Sequence, residues 1–355
     1  MSTQTTPRSL RIGSHEINDS TDCYVIAEIG HNHGGKLDTA LDLFHAAKMA
    51  GAHAVKLQKR DNKSLYTKQA YDKPYENENS YGATYGEHRE FLEFGKEEYV
   101  ALGRLAKELG LDFFSTAFDL PSADFLAELD PPAYKIASGD LKNTVLLKYV
   151  AKFGKPMIIS CGGATMEDVR RAYDTIMPIN PQLCILQCTA TYPTEAEDLN
   201  LNVIKTLRDQ FPDVVVGLSD HYNGIAMSVA SYILGARVIE KHFTLNHTWK
   251  GTDHALSLEP IGMNKMIRDL QRCRVALGDG QKRILDAEKA AITKMGKSLF
   301  AASDLPVGHK LSEADIAIKS PGGGLPPYEL ENVLGKALTK SLSLDDMITA
   351  ADLAA

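Results

Sequence analysis

Long apolar runs are missing from this 355-residue chain, and no stretch approaches the ~20 residues that a membrane-spanning helix needs. The opening residues, Met1-Ser2-Thr3-Gln4-Thr5-Thr6-Pro7, are polar and lack the apolar segment of a secretory leader. Cysteine is scarce. Cys23, Cys161, Cys184, Cys188 and Cys273 are odd in number and scattered, so they build neither a disulfide framework nor a zinc ribbon. Excess positive charge is absent as well: 39 basic residues face 46 acidic ones, a formal net charge of −7. That balance argues against general binding to nucleic acid or to a membrane surface, although a local lysine cluster can still hold an anion. The expectation is a cytoplasmic protein with reduced, buried thiols. Also missing is the glycine-rich dinucleotide fingerprint. Gly30-His31-Asn32-His33-Gly34-Gly35 has the wrong spacing, which removes the open doubly wound sheet that would otherwise compete as a fold.

What the chain does have is a beat of strands and helices. Strand-like runs occur at Tyr24 to Ile29, Ala54 to Gln58, Asp112 to Thr116, Tyr134 to Ala137, Pro156 to Ser160, Cys184 to Cys188, Val214 to Leu218 and Val238 to Phe243. Helical periodicity falls at Thr39 to Met49, Glu97 to Leu109, Leu146 to Lys152, Met166 to Ile176, Val203 to Gln210, Ala226 to Leu234 and Asn264 to Leu277. Continuously apolar strands alternating with helices indicate parallel strands buried on both faces, and about eight such units predict a closed (β/α)8 TIM barrel. Ahead of it, Leu10-Arg11-Ile12-Gly13 and His15-Glu16-Ile17 alternate around a Gly-Ser turn, as a hairpin plugging the amino-terminal end would. The beat stops near Gly278-Asp279-Gly280. The expected layout is a barrel with its hairpin over 1–280, a linker over 281–295, and a small turn-rich domain over 296–355.

In such a barrel, function lies at the carboxyl ends of the strands. Those ends carry Glu28, Lys56, Gln58, Ser115, Thr116, Lys135, Ser138, Ser160, Thr189, Tyr192, Ser219, His221 and His242. Buried lysines are costly unless paired, so two on different strands point to a polyanion between them, with the hydroxyls completing a phosphate cradle. The competing reading pairs each lysine with a neighbouring acid and makes Glu28 a structural partner of Lys56. His221 and His242 end successive strands and can share a divalent metal with positions left open for substrate; the bland alternative is backbone hydrogen bonding. Glu28 can also act as a general acid or base. His31 and His33 read as loop hydrogen-bonders. The segment from Tyr81 to Arg89 reads as an aromatic, glycine-rich loop near the substrate, and Lys250 to His254 as a loop bringing Asp253 over the mouth.

Several of these stretches together resemble the sialic acid synthases. They are Ile26-Ala27-Glu28-Ile29-Gly30-His31-Asn32-His33-Gly34-Gly35, Val55-Lys56-Leu57-Gln58, Ala133-Tyr134-Lys135-Ile136-Ala137-Ser138-Gly139-Asp140, Cys188-Thr189-Ala190-Thr191-Tyr192-Pro193, Gly217-Leu218-Ser219-Asp220-His221 and Glu240-Lys241-His242-Phe243. The tail resembles the antifreeze-like (SAF) domain of the same proteins. The resemblance implies condensation of phosphoenolpyruvate with N-acetylmannosamine or its 6-phosphate, giving N-acetylneuraminate or its 9-phosphate, plus phosphate. It further implies His221 and His242 as ligands of Mn2+ or Mg2+, and Lys56, Thr116, Lys135, Ser138, Ser160 and Ser219 as the phosphoenolpyruvate site. Glu28, Asp140 and Tyr192 take catalytic positions, with Gln58, Arg89 and Asp253 toward the sugar. A domain-swapped homodimer is implied as well. Two features depart from the bacterial pattern. Lys319-Ser320-Pro321-Gly322 has Ser320 where those members carry an arginine that reaches the N-acyl group. The stretches Thr84 to Arg89 and Thr248 to His254 look more like the animal synthases, which use a phosphorylated sugar; Lys59, Arg60 and Arg89 could bind such a phosphate. The alternatives are the same condensation with mannose 6-phosphate or a legionaminic or pseudaminic precursor, or a non-catalytic carbohydrate- or ice-binding module.

Overall fold

A computed structural model describes residues 8–354. They form two units, the first ending at Gly278 and the second starting at Asp279.

The first unit opens with the expected hairpin, β1 (Ser9–Ile12) and β2 (His15–Asn18), turned at Gly13 with φ 53°. Eight strands follow: β3 (Tyr24–Gly30), β4 (Ala54–Lys59), β5 (Asp112–Ala117), β6 (Tyr134–Ile136), β7 (Met157–Ser160), β8 (Leu183–Cys188), β9 (Val215–Asp220) and β10 (Val238–His242). They pair in parallel, in chain order, and β10 returns to β3 to close the barrel.

Side chains alternate along a strand, so each run divides into two sets with different neighbours. Val25, Ala27, Val55, Leu57, Ile159, Ile185, Val216 and Ile239 join the large core shared with the surrounding helices. Tyr24, Ile26, Ala54, Phe114, Ile158, Cys184, Leu186, Val215 and Val238 cluster instead with Leu10, Ile12 and Ile17 of the hairpin. The hairpin therefore seals one end of the barrel. Asp112 ties it there, accepting a hydrogen bond from the Tyr24 hydroxyl at 2.7 Å and lying 3.0 Å from His15 Nδ1. A Cβ on Gly217 would come within 2.2 Å of the Val238 carbonyl oxygen and 2.6 Å of Leu186 Cδ2, so the interior closes only around glycine at that level. Moving two residues toward the carboxyl end, the interior set turns polar on seven of the eight strands, with Glu28, Lys56, Thr116, Lys135, Ser160, Ser219 and Glu240, while β8 contributes Cys188. The functional layer is the next course of the same period-two pattern.

Helices Leu37–Ala50 and Lys96–Leu109 stop at Gly51 and Gly110, both left-handed, as their glycines suggest. Two elements differ from the sequence reading. Helix Leu120–Ala127, between β5 and β6, has only eight residues and a proline in its first turn, too short to show a period; Asp119 caps it by accepting from the Ser122 N–H. The excursion after β4, read as a loop, contains helices Asn62–Leu65, Lys68–Tyr71 and Tyr85–Leu92. The last opens on a reciprocal cap between Thr84 and Glu87, a spacing visible in the sequence but masked by its glycines and aromatics. All five cysteines are free, and four are buried.

In the second unit β11 (Ser298–Ala301) pairs antiparallel with β12 (Ile316–Lys319). Its core is small: Leu299, Ala301, Leu305, Leu311, Val333, Leu338, Leu342 and Ile348. Among the described residues no helix is long and apolar enough to cross a membrane.

The plug is testable. Ile12 is fully buried, so Ile12→Ala should lower the unfolding free energy of the barrel by about 2–5 kcal/mol in urea titrations. A loss below about 0.5 kcal/mol, the range of surface substitutions, would mean that the hairpin does not seal the core.

Candidate functional site

The polar course floors a cavity of about 580 Å³ at the carboxyl ends of the strands. At its centre lies Glu240 on β10, set in register with Ser219 on β9. Ser219 donates to Glu240 Oε1 at 2.9 Å. Lys135 Nζ is 3.7 Å from Oε1, and Lys56 Nζ is 3.8 Å from Oε2. Burial alone would raise the Glu240 pKa, but the Lys135 and Lys56 ammoniums overcome it and hold the group down at about 2.

Each lysine has further partners. Lys56 approaches Glu28 Oε2 at 2.6 Å, its register neighbour on β3, and donates to Thr116 Oγ1 at 2.8 Å. Lys135 donates to Ser160 Oγ at 2.7 Å and to the Ile136 carbonyl at 3.1 Å. The pairing expected of lone buried lysines is therefore present. What it does not explain is two lysines sharing one carboxylate, beside hydroxyls that open onto the same cavity. Ser138, on the turn after β6, accepts from the Gly162 N–H at 2.9 Å. Ammoniums and hydroxyls already oriented at the base of the cleft make a preorganised anion cradle. Burial also lowers the Lys135 pKa, against Glu240. It raises that of Glu28, against Lys56.

Above the floor stand the two histidines, ring centroids 5.5 Å apart. His221 Nδ1 lies 2.9 Å from the Thr189 carbonyl; a carbonyl only accepts, so Nδ1 carries the proton and Nε2 keeps its lone pair. That is the tautomer, and the carbonyl brace, of a metal-binding imidazole. His242 Nδ1 is buried without a hydrogen-bond partner among the described residues and lies 3.9 Å from Asp253 Oδ2. Among the described residues, no group of three His, Cys, Asp or Glu side chains is arranged to hold a metal. The donor set fits an ion taken by two imidazoles that draws its remaining ligands from water and substrate. Tyr192, 55% exposed, leans over His221 with centroids 4.1 Å apart.

The mouth is built by loops that hold one another. Asn32, after β3, donates to the Phe243 carbonyl and to Ser257, both at 2.9 Å. Ser257 in turn donates to the Asp253 carbonyl at 2.6 Å. Asn79 accepts from the Gly251 N–H at 2.9 Å, and the Tyr81 hydroxyl donates to the Lys250 carbonyl. Gln58 links floor to mouth, donating to Glu28 Oε1 at 2.8 Å and accepting from Arg60 at 2.7 Å. Gly30 makes room for this link. It lies at φ 53°, beside a bulge in β3, and a Cβ there would sit 3.3 Å from both Gln58 Nε2 and Glu28 Oε1.

Thirteen of the fourteen site residues expected from sequence line this one cavity: all but Asp140. The Asp140 carboxylate accepts from the Asn143 side chain at 3.5 Å and is not part of the lining. Sequence reasoning passed over Glu240, Asn79 and Phe118, which do line it. Period two from His242 would have found Glu240; nothing local marks Asn79 or Phe118. Ser320, in the second unit, accepts from Lys297 Nζ at 2.7 Å.

A closed parallel barrel with an anion cradle beneath an imidazole pair, all at the strand ends, defines a barrel enzyme for an anionic substrate. Comparison with known proteins gives the family: residues 43–282 match the NeuB family and 296–354 the SAF domain, and the chain belongs to the NeuB family. It is 41% identical over 327 residues to the N-acetylneuraminate-9-phosphate synthase of Homo sapiens, covering 92% of this chain and 91% of that one. It is 36% identical to an N,N'-diacetyllegionaminic acid synthase of Legionella pneumophila, covering 91% and 92%. The crystal structure of the sialic acid synthetase of Leptospira borgpetersenii superposes with a TM-score of 0.71 at 29% identity, covering 81% of this chain and 96% of that one.

Removing the shared carboxylate should leave Lys135 without an acidic partner. Glu240→Gln is expected to cost about 3–5 kcal/mol of stability in chemical denaturation, as for other broken buried pairs. A change below about 1 kcal/mol would mean that Glu240 is not what holds the lysines in the floor.

Proposed function

We propose that this protein is a sialic acid synthase that condenses phosphoenolpyruvate with the open-chain aldehyde of N-acetylmannosamine or its 6-phosphate. The products are N-acetylneuraminate or its 9-phosphate, and phosphate. The observation that carries this reading is the pair of lysines held around one carboxylate, with four hydroxyls beside them, under an imidazole pair.

Lys56 and Lys135, with Thr116, Ser138, Ser160 and Ser219, bind the phosphate and carboxylate of phosphoenolpyruvate. A divalent ion, manganese or magnesium, held by His221 and His242 supplies Lewis-acid polarisation of the aldehyde when bound. The new bond joins carbon 3 of phosphoenolpyruvate to the aldehyde carbon. Glu28, which burial biases toward its protonated form, delivers the proton that the resulting hydroxyl takes up. Positive charge develops at carbon 2, where the Glu240 carboxylate stabilises it. Water adds at that carbon, and loss of phosphate with the water's protons leaves the 2-keto group. Gln58, Tyr192 and Asp253 orient the sugar, and Asp140 carries no step. We place the enzyme in the cytoplasm. Its working form is a domain-swapped homodimer, a reading supported by the small core of the second unit and the exposed Ile284, Leu285 and Met295 of the linker.

The test is phosphate release from phosphoenolpyruvate with manganese, offering free and 6-phosphorylated N-acetylmannosamine and mannose, with legionaminic and pseudaminic precursors as further arms. Release with an N-acetylmannosamine substrate, abolished by chelation and reduced at least ~1000-fold in His221→Ala, is expected, since loss of a metal ligand removes the Lewis acid. Release only with another sugar would move the assignment to that sugar. Full activity after chelation would sink the metal role, and no release with any sugar would sink the synthase reading.

A further inference from the structure

One buried ion pair stands outside the cleft. Asp220 and Lys241 lie on the outer face of β9 and β10, the face that Val216, Leu218 and Ile239 turn toward the helices. Both side chains are fully buried, with Asp220 Oδ2 3.0 Å from Lys241 Nζ, and neither lines the cavity. Desolvating such a pair is costly, and two apolar side chains of similar volume would fill the space at least as well. Stability alone does not account for it. What the pair reaches does. Asp220 Oδ1 accepts from the Tyr222 N–H at 2.9 Å, and Lys241 donates to the Tyr222 carbonyl. Both backbone groups of the residue after His221 are thus held by the residues that precede His221 and His242. Asp220 Oδ2 is fixed in turn by Ser228, which donates to it at 2.6 Å from the buried side of helix Ala226–Ile233.

The strand ladder explains why a grip is needed at this point. β9 and β10 pair from Gly217 with Val238 up to Asp220 with Lys241, and that rung is their last. His221 and His242 come one residue later, beyond the register that joins the two strands. From there each chain turns to a different neighbour. The His221 carbonyl accepts from the Thr194 N–H at 3.1 Å, and the His242 carbonyl from the Leu258 N–H at 2.7 Å. The 5.5 Å between the two ring centroids is therefore set from the rung below. An apolar pair could pack that rung, but it could not hold the Tyr222 N–H and carbonyl, because it has neither an acceptor nor a donor.

We propose that Asp220 and Lys241 are a positioning pair for the imidazoles. By clamping Tyr222 to the last rung of β9 and β10, they hold His221 at the distance from His242 at which one divalent ion takes both. This rests on the metal role given to the two histidines in the condensation proposed above. The pair touches neither ion nor substrate and acts through the His221 backbone, while the Thr189 carbonyl orients the His221 ring.

The experiment titrates the full-length protein with manganese and follows loss of the free-ion electron paramagnetic resonance signal. It compares the wild type with Lys241→Met and with the combined Asp220→Asn, Lys241→Met. The single variant leaves a buried carboxylate unpaired and can fail to fold. The double variant leaves no charge, keeps the volume and releases the Tyr222 carbonyl. It should bind manganese about 10- to 100-fold more weakly, as loss of an outer partner of a metal ligand does. Its urea midpoint and near-ultraviolet circular dichroism should match the wild type. In phosphate release, raising manganese should restore most of the lost turnover, with KM for phosphoenolpyruvate unchanged. Unaltered manganese affinity in the double variant overturns the clamp and leaves the synthase reading standing. So does a loss of affinity that comes with a lowered urea midpoint, which would make the pair a support of the fold. A wild-type protein that takes up no manganese overturns the clamp together with the metal role of the histidines.

Discussion

Everything in the cleft depends on one carboxylate shared by two ammoniums. Glu240 is 6% exposed, and neither Lys56 nor Lys135 exceeds 3%. Any of the three alone at that depth would neutralise itself or unfold its surroundings, because an unpaired buried charge costs several kcal/mol. Together they are stable. The cations hold Glu240 ionised, and its charge offsets the desolvation of Lys135. Ser219, Ser160 and Thr116 add hydrogen bonds that fix the geometry.

That geometry is inherited from strand register. Ser219 faces Glu240 across β9 and β10, Glu28 faces His242 across β3 and β10, and Glu28 faces Lys56 across β3 and β4. A one-residue slip would turn each of these side chains from the interior to the helix layer. Register is protected from below by the apolar cluster that the hairpin completes. Behind the histidines, Lys241 and Asp220 point to the opposite face and form a fully buried pair at 3.0 Å, with Ser228 donating to Asp220 at 2.6 Å. This second pair braces the ends of β9 and β10, where the imidazoles emerge.

How much of this was legible in the sequence follows from how local each signal is. Strand periodicity and the polar residues at strand ends are local, and they located Lys56, Lys135, His221 and His242 together with the barrel and its plug. Glu240 was equally local, but it was absorbed into an apolar run and read as strand rather than as site. Asn79 and Phe118 were not legible. They reach the cleft through a long excursion and a loop whose paths depend on contacts such as Gly251 to Asn79, 172 residues apart. Asp140 is the expected site residue that the cavity lining does not include. Its neighbours Lys135 and Ser138 line the cavity, but the turn Ser138–Asp140 directs its carboxylate to Asn143 instead.

Charge balance explains why the floor can bind a polyanion although its two lysines already face two acids. With both carboxylates ionised the floor is neutral, and an incoming phosphate would gain little. Glu28 is the group that can change this. Burial raises its pKa, Glu240 adds to the rise, and only Lys56 and Gln58 oppose it. In the proposed condensation, an anion drawing Lys56 away would remove the larger of those two opposing influences and favour the protonated form of Glu28. With Glu28 protonated, the two lysines would outweigh the single Glu240 carboxylate. In the proposed condensation the same proton is the one passed to the new hydroxyl, so binding of the first substrate charges the acid needed for reaction with the second.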